Sequence, residues 1–225
     1  MTSLPALDAA MIDLDGTLVD TLPDFVVAIG LMLDELGRPA VAPAVVATMI
    51  GKGADHLVRA VLEHVAAGAA VDAALVEQGR QRYRHHYGEV NGRHAVVFPG
   101  VVDGLEALRR RGLRLACLTN KPTAFAEALL ATTKLDSFFE IVRGGDVFPR
   151  IKPDPMPLAQ TCALLGTLPS RTLMVGDSSN DARAARAAGC PVVLATYGYN
   201  HGEPVLAVDA DGFYDSLVEV ARMVG

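Results

Sequence analysis

Apolar and polar positions along the chain follow two rhythms. Ala9-Ala10-Met11-Ile12 is a short unbroken apolar run closed by Asp13, the pattern of a strand buried on both faces. Residues 113–118, 172–175 and 191–195 repeat that pattern, and 138–142 is a shorter candidate. Between and after these runs, apolar residues recur at helical spacing over 101–111, 123–133, 156–165, 180–188 and 214–224. From residue 21 to about 95 the rhythm is helical only. Thr21 as a cap, Pro23 in the first turn and Gly37 at the end delimit a helix over 21–37. Pro43 opens a short helix through Met49, and Gly51-Lys52-Gly53 interrupts before a helix carrying Leu57, Val58, Val61, Leu62 and Val65 inward. Asp72 caps a longer polar helix whose Arg80, Arg82, Arg84, His85 and His86 read as a solvated face, with the two histidines diverging.

Strands alternating with helices through short connections predict an α/β fold, a Rossmann-like three-layer core around a parallel sheet. The first strand belongs with those after residue 100. The predicted organisation is therefore an α/β catalytic core of residues 1–20 and 96–225, with 21–95 inserted as a helical cap domain. Ligands of such sheets bind beyond the carboxyl ends of the strands. Asp13 to Thr17, Thr119 to Lys121 and Asp177 to Asp181 all fall at such ends, and Lys152 lies in a proline-stiffened loop within reach of the same rim.

Composition narrows the partners. With 51% apolar and 20% charged residues in 225, a substantial core is expected. A net charge of −6 argues against a nucleic-acid surface, so an anionic ligand must be drawn by a local cation. The three cysteines, Cys117, Cys162 and Cys190, are widely spaced in apolar contexts and read as free thiols in a reducing compartment. Met1 to Leu7 shows no signal-peptide pattern. No run reaches the roughly 18 apolar residues of a membrane span. The expectation is a cytoplasmic protein away from membranes, monomer or homodimer.

The chemistry rests on carboxylates. Asp13 and Asp15 at a strand end read either as a polar turn or as a site where crowded carboxylates need a proton or a hard cation. With Asp177 and Asp181 on the same rim, an oxygen-only ligand set suits Mg2+. Thr119, Asn120 and Lys152 add the donors and positive charge that a phosphoryl group requires. The bland reading of Asp20 and Asp24 is capping and solvation. Asn200 and His201 read as a structural loop, and Lys52 as a turn lysine or a contact for a substrate carboxylate.

Together, Asp13-x-Asp15-Gly16-Thr17, Thr119 after a strand, Lys152 and Gly176-Asp177-x-x-x-Asp181 resemble the four motifs of the haloacid dehalogenase superfamily, in order and over nearly the whole chain. Ile12 departs from the Phe that many members carry before the first aspartate. The resemblance implies the α/β core, a helical cap, and phosphoryl rather than carbon–halogen chemistry, since Asp15 is present. It implies Asp13 as nucleophile, Asp15 as general acid and base, and Thr119 and Lys152 on the phosphoryl oxygens. Asn120 and Lys52 are further candidate substrate contacts, and the resemblance implies Mg2+ held by Asp13, the Asp15 carbonyl and Asp177, with Asp181 acting through water. Thr119-Asn120-Lys121-Pro122, Lys152-Pro153-Asp154-Pro155, Gly51-Lys52-Gly53-Ala54 and Thr196 to Gly202 resemble the phosphoglycolate phosphatase branch. That makes a small phosphorylated metabolite, 2-phosphoglycolate first, the expected substrate. Another phosphatase or a sugar phosphomutase of the same fold is the nearest alternative. An aspartyl-phosphate signalling module is the alternative of a different class, and an inactive scaffold a third.

Overall fold

Strand β1 (Ala9–Ile12) is buried on both sides, and its residues divide between two apolar layers. Ala10 and Ile12 face one layer, Ala9 and Met11 the other. Alternation within an all-apolar run is what a central parallel strand requires. A computed structural model describes residues 6–224, so most of the Met1–Leu7 reading lies outside the described residues.

β1 is followed by a two-residue strand β2 (Val19–Asp20) and the helices α1 (Leu22–Glu35), α2 (Pro43–Ala47), α3 (Ala54–Val65) and α4 (Ala73–Val90). The chain then returns through β3 (Val96–Val97) to α5 (Val101–Arg110), β4 (Arg114–Leu118), α6 (Thr123–Thr132) and β5 (Ile141–Arg143). It finishes with α7 (Met156–Leu165), β6 (Thr172–Gly176), α8 (Ser179–Ala188), β7 (Val192–Ala195), β8 (Gly212–Tyr214) and α9 (Leu217–Met223). The main sheet has the order β5-β4-β1-β6-β7-β8 with every pair parallel. Leu105, Leu108, Leu129 and Leu217 cover one face; Leu158, Cys162, Ala184 and Ala185 cover the other. This is the three-layer α/β core expected from the alternation of runs.

Register places the chemistry. Ile12 pairs with Cys117 of β4 and with Val175 of β6, so the three strands end nearly level. Asp13, Thr119 and Asp177 therefore leave the sheet side by side. The helices α1 to α4 pack around their own apolar cluster, in which Phe25, Met32, Val58, Leu62, Tyr83 and Tyr87 are buried. β2 and β3 pair antiparallel, Val19 with Val97 and Asp20 with Val96, and bring the two connections of this helical unit together.

Four local expectations are corrected. Thr21 precedes α1 with helical backbone angles and makes no capping bond; a side-chain cap uses an extended residue. The chain around 214 is not the start of a helix. Gly212–Tyr214 pairs with β7 as an edge strand, and Ser216 is extended before α9. Asp24 is not solvated: it is fully buried and accepts hydrogen bonds from the Gly92 and His94 backbone N–H groups at 2.6 and 2.8 Å, tying α1 to the end of the helical unit. His85 and His86 do not diverge, since their ring centres lie 5.1 Å apart, and His86 is buried with Nε2 3.0 Å from Glu35. All three cysteines are free and buried. Among the described residues no helix is long and apolar enough to cross a membrane.

Candidate active site

Carboxylate oxygens of Asp13, Asp177 and Asp181 lie within 4.8 Å of one another, and all three residues are buried. Asp13 is the first residue past β1, and its Oδ1 accepts the Leu14 N–H at 2.8 Å. Asp177 follows β6, and its Oδ2 accepts the Tyr199 N–H at 2.7 Å. Gly16 and Gly198 border Asp177 so closely that a Cβ on either would collide with its carboxylate; Gly16 also has φ +81°, a conformation favouring glycine.

The electrostatics of this cluster follow from burial. Desolvation pushes the Asp13 carboxyl up to about 6; Lys152 opposes the shift and Asp181 adds to it. Asp177 is pushed well above the carboxylate range, first by burial and then by Asp181 and Asp13. Burial would lower Lys152, yet Asp13 and Asp181 outweigh it and hold the ammonium above its usual value. Such a cluster binds protons or a hard cation. The donor set is oxygen only, with no thiolate or imidazole, and fits Mg2+.

Lys152 spends all three ammonium protons: Leu118 O at 2.7 Å, Asp181 Oδ1 at 2.7 Å and Asp13 Oδ1 at 3.1 Å. Asp181 is fully engaged as well. Its Oδ1 takes Lys152 and its Oδ2 takes the Asp177 N–H, Ser178 N–H and Ser178 hydroxyl. It fixes the turn that presents Asp177, which matches a carboxylate reaching a metal only through water.

Thr119, at the end of β4, accepts the Lys121 N–H at 3.2 Å, leaving its hydroxyl proton to donate. Asn120, expected as a substrate contact, is occupied otherwise. Its Oδ1 accepts the Lys152 N–H at 3.0 Å, and its Nδ2 donates to Lys152 O at 2.8 Å and to Gly51 O at 2.9 Å. Both amide protons are spent, so the side chain positions Lys152. Asn180 donates to the same Gly51 carbonyl at 3.1 Å. Asn200 likewise supports the site, accepting the Ser179 N–H at 2.8 Å.

Asp15 stands apart from the three-carboxylate cluster and faces the helical unit. Its Oδ1 lies 2.7 Å from Nζ of Lys121, a residue that the sequence marks only as part of a turn. The ammonium sits 4.7 and 4.8 Å from the ring centres of Phe25 and Tyr87. A pocket opens here, floored by Asp13 and Asp15 and walled by Gly53, Ala54, Tyr83 and Tyr87. Lys52 does not line it. This lysine is exposed and borders a neighbouring groove with Arg80 and Arg84.

A strand end carrying Asp13, an aspartate two residues on, a buried lysine and a paired acidic turn form one rim beneath a helical unit. The chain belongs to the haloacid dehalogenase-like hydrolases, whose family model matches residues 7–189. Within that class it is 46% identical over its whole length to the phosphoglycolate phosphatase of Thiobacillus denitrificans (strain ATCC 25259 / T1), covering 99% of that protein. It is 48% identical to the plasmid phosphoglycolate phosphatase of Cupriavidus necator, over 96% of this chain and 91% of that one. A crystal structure of a predicted phosphoglycolate phosphatase from Haemophilus somnus 129pt superposes with a TM-score of 0.93 at 34% identity, covering 97% of this chain and 98% of that one.

Proposed function

We propose that this hydrolase is a Mg2+-dependent phosphatase of small phosphate monoesters acting on 2-phosphoglycolate to give glycolate and phosphate. The observation that carries the reading is the partition of the rim. Asp13 is paired with a charge-saturated Lys152, while Asp15 is kept outside the metal-type cluster and faces the pocket. A nucleophile and a proton carrier need that separation. The names borne by the full-length relatives support the substrate.

Asp13 and Asp177, with the Asp15 carbonyl, would hold Mg2+, and Asp181 would reach it through water. Bound there, the cation offsets repulsion between the carboxylate and an incoming phosphate. Asp13 attacks phosphorus and forms the aspartyl-phosphate; Asp15 gives its proton to the departing alkoxide oxygen. Asp15 then takes a proton from the water that attacks the phosphoryl group, which restores Asp13. Thr119 donates its hydroxyl to a phosphoryl oxygen, and Lys152 tempers the charge on Asp13. The helical unit of residues 21–95 serves as a cap that excludes bulk water. Three buried free thiols support a cytoplasmic location.

The test is phosphate release across a panel of phosphate esters with and without Mg2+. Activity unchanged after thorough chelation overturns the metal assignment. Isomerised ester with little free phosphate would mark a phosphomutase, and a durable phosphoenzyme without turnover a signalling module.

A further inference from the structure

Two lysines approach the reacting carboxylates, and only one has donors to spare. Lys152 has three oxygen partners for three protons. Lys121 has one carboxylate partner, Asp15, and rests against the Phe25 and Tyr87 rings. Aromatic faces compensate a desolvated ammonium electrostatically but accept no directed lone-pair hydrogen bond of the carboxylate kind. The Lys121 side chain is only 3% exposed, so bulk water does not take up the remaining protons.

Two further groups of the same pocket await an acceptor. The Tyr87 hydroxyl is buried, and among the described residues no hydrogen-bond partner meets it. An orphaned buried hydroxyl is costly and marks a place where a ligand atom belongs. Helix α3 begins at Ala54 behind Gly53, a residue without a side chain to cap it, and both residues line the pocket. Its first N–H groups and the positive end of its dipole border the same space. Ammonium, phenol and peptide N–H are all donors. Lys121 comes from the loop after β4 beside Asp15, while Tyr87 and the start of α3 come from the helical unit, and all of them line one pocket.

We propose that Lys121 receives the carboxylate of the substrate's leaving group, assisted by the Tyr87 hydroxyl and the N-terminus of α3. This rests on the phosphomonoesterase reading and deepens it. The favoured substrates are short esters whose leaving alcohol carries a carboxylate next to the ester carbon. Lys121 keeps one N–H on Asp15 Oδ1 and turns another to the substrate, so one ammonium bridges the acid–base residue and the substrate's carboxylate. Lys52 does not take this part, because it faces the outer groove. A phosphate ester whose alkyl group carries no carboxylate would leave the Tyr87 hydroxyl orphaned.

The experiment compares 2-phosphoglycolate with ethyl phosphate, which lacks the carboxylate, in the Mg2+-supplemented wild type and in Lys121→Met, Lys121→Arg and Tyr87→Phe. Lys121→Met is expected to lower the ratio of the two kcat/KM values by about 30-fold or more, chiefly through KM for 2-phosphoglycolate, with partial recovery in Lys121→Arg. Tyr87→Phe is expected to lower that ratio by about 3- to 10-fold and to weaken competitive inhibition by glycolate to a similar degree. Equal losses on both esters overturn the proposal and reduce Lys121 to a residue that orients Asp15. Should Lys121→Met fail to fold, the Tyr87→Phe ratio and glycolate inhibition decide, and no change in either overturns it. A wild type without preference between the esters also overturns it while leaving a phosphatase standing. A wild type that hydrolyses neither overturns the underlying reading instead.

Discussion

The Tyr199 hydroxyl donates to Asp20 at 2.7 Å and, in the same position, accepts the N–H groups of Thr21 and Leu22 at 2.9 and 3.0 Å. One phenol thus caps α1 in place of Thr21, while the backbone of the same residue holds Asp177. Tyr199→Phe leaves the Thr21 N–H without its partner and the Leu22 N–H with Asp20 Oδ1 alone, at 3.2 Å. Stability is expected to fall by about 1–3 kcal/mol, read from urea unfolding. An unchanged midpoint would mean that water replaces the phenol there.

Lys152→Met should be the most damaging single change in the core. It leaves the Asp13 and Asp181 carboxylates buried without their shared cation, a loss of about 3–5 kcal/mol by analogy with broken buried pairs. Catalysis should vanish with it. A variant of wild-type stability would show that the carboxylates take up protons at no cost.

Asp13→Asn removes the nucleophile while keeping its size. Turnover should fall by at least about 10³-fold, measured as phosphate release. Retention of near-native rates would refute Asp13 as the attacking group.

The pH dependence of stability should invert when metal is added. Asp13 is raised to about 6 and Asp177 is raised as well, so the folded metal-free chain holds protons that the unfolded chain has released. Their protonated forms favour folding, and that contribution is lost as pH rises from about 4 through 6 and beyond, on the order of 3 kcal/mol for Asp13. Mg2+ requires the ionised carboxylates, so the Tm gain from Mg2+ should be larger at pH 8 than at pH 5. Calorimetry at the two pH values checks this, and an equal or larger gain at pH 5 contradicts it.

Asp24→Ala should cost about 2–4 kcal/mol, because the Gly92 and His94 N–H groups lose a buried acceptor. Denaturant titration reads the loss. A change below about 0.5 kcal/mol would place water in the gap.

The central strands were legible because each is an apolar run ending in a polar cluster, and parallel pairing needs little else. β8 was not, since Gly212-Phe213-Tyr214 is short and lies at the sheet edge. The Tyr199 cap joins residues 178 apart in sequence, and no local pattern announces it. Asp13, Thr119, Lys152 and Asp177 could be grouped because each follows a strand or an adjoining loop. Lys121 could not be singled out. Its environment is assembled from Phe25 on α1 and Tyr87 on α4, both distant in sequence from its own turn, and a lysine before a proline looks like any exposed turn residue. Lys52, flanked by glycines, is the more visible cation in the sequence and borders the neighbouring groove.

The α/β core holds the helical unit at Gly51 by a main-chain oxygen, which Asn120 and Asn180 share. A grip on the peptide group is blind to the side chains elsewhere in that unit. The helices that shape the pocket are therefore free to diverge, or to be exchanged by design, while that contact persists. New leaving-group preferences become reachable by altering pocket walls such as Leu57 or Tyr83 without rebuilding it.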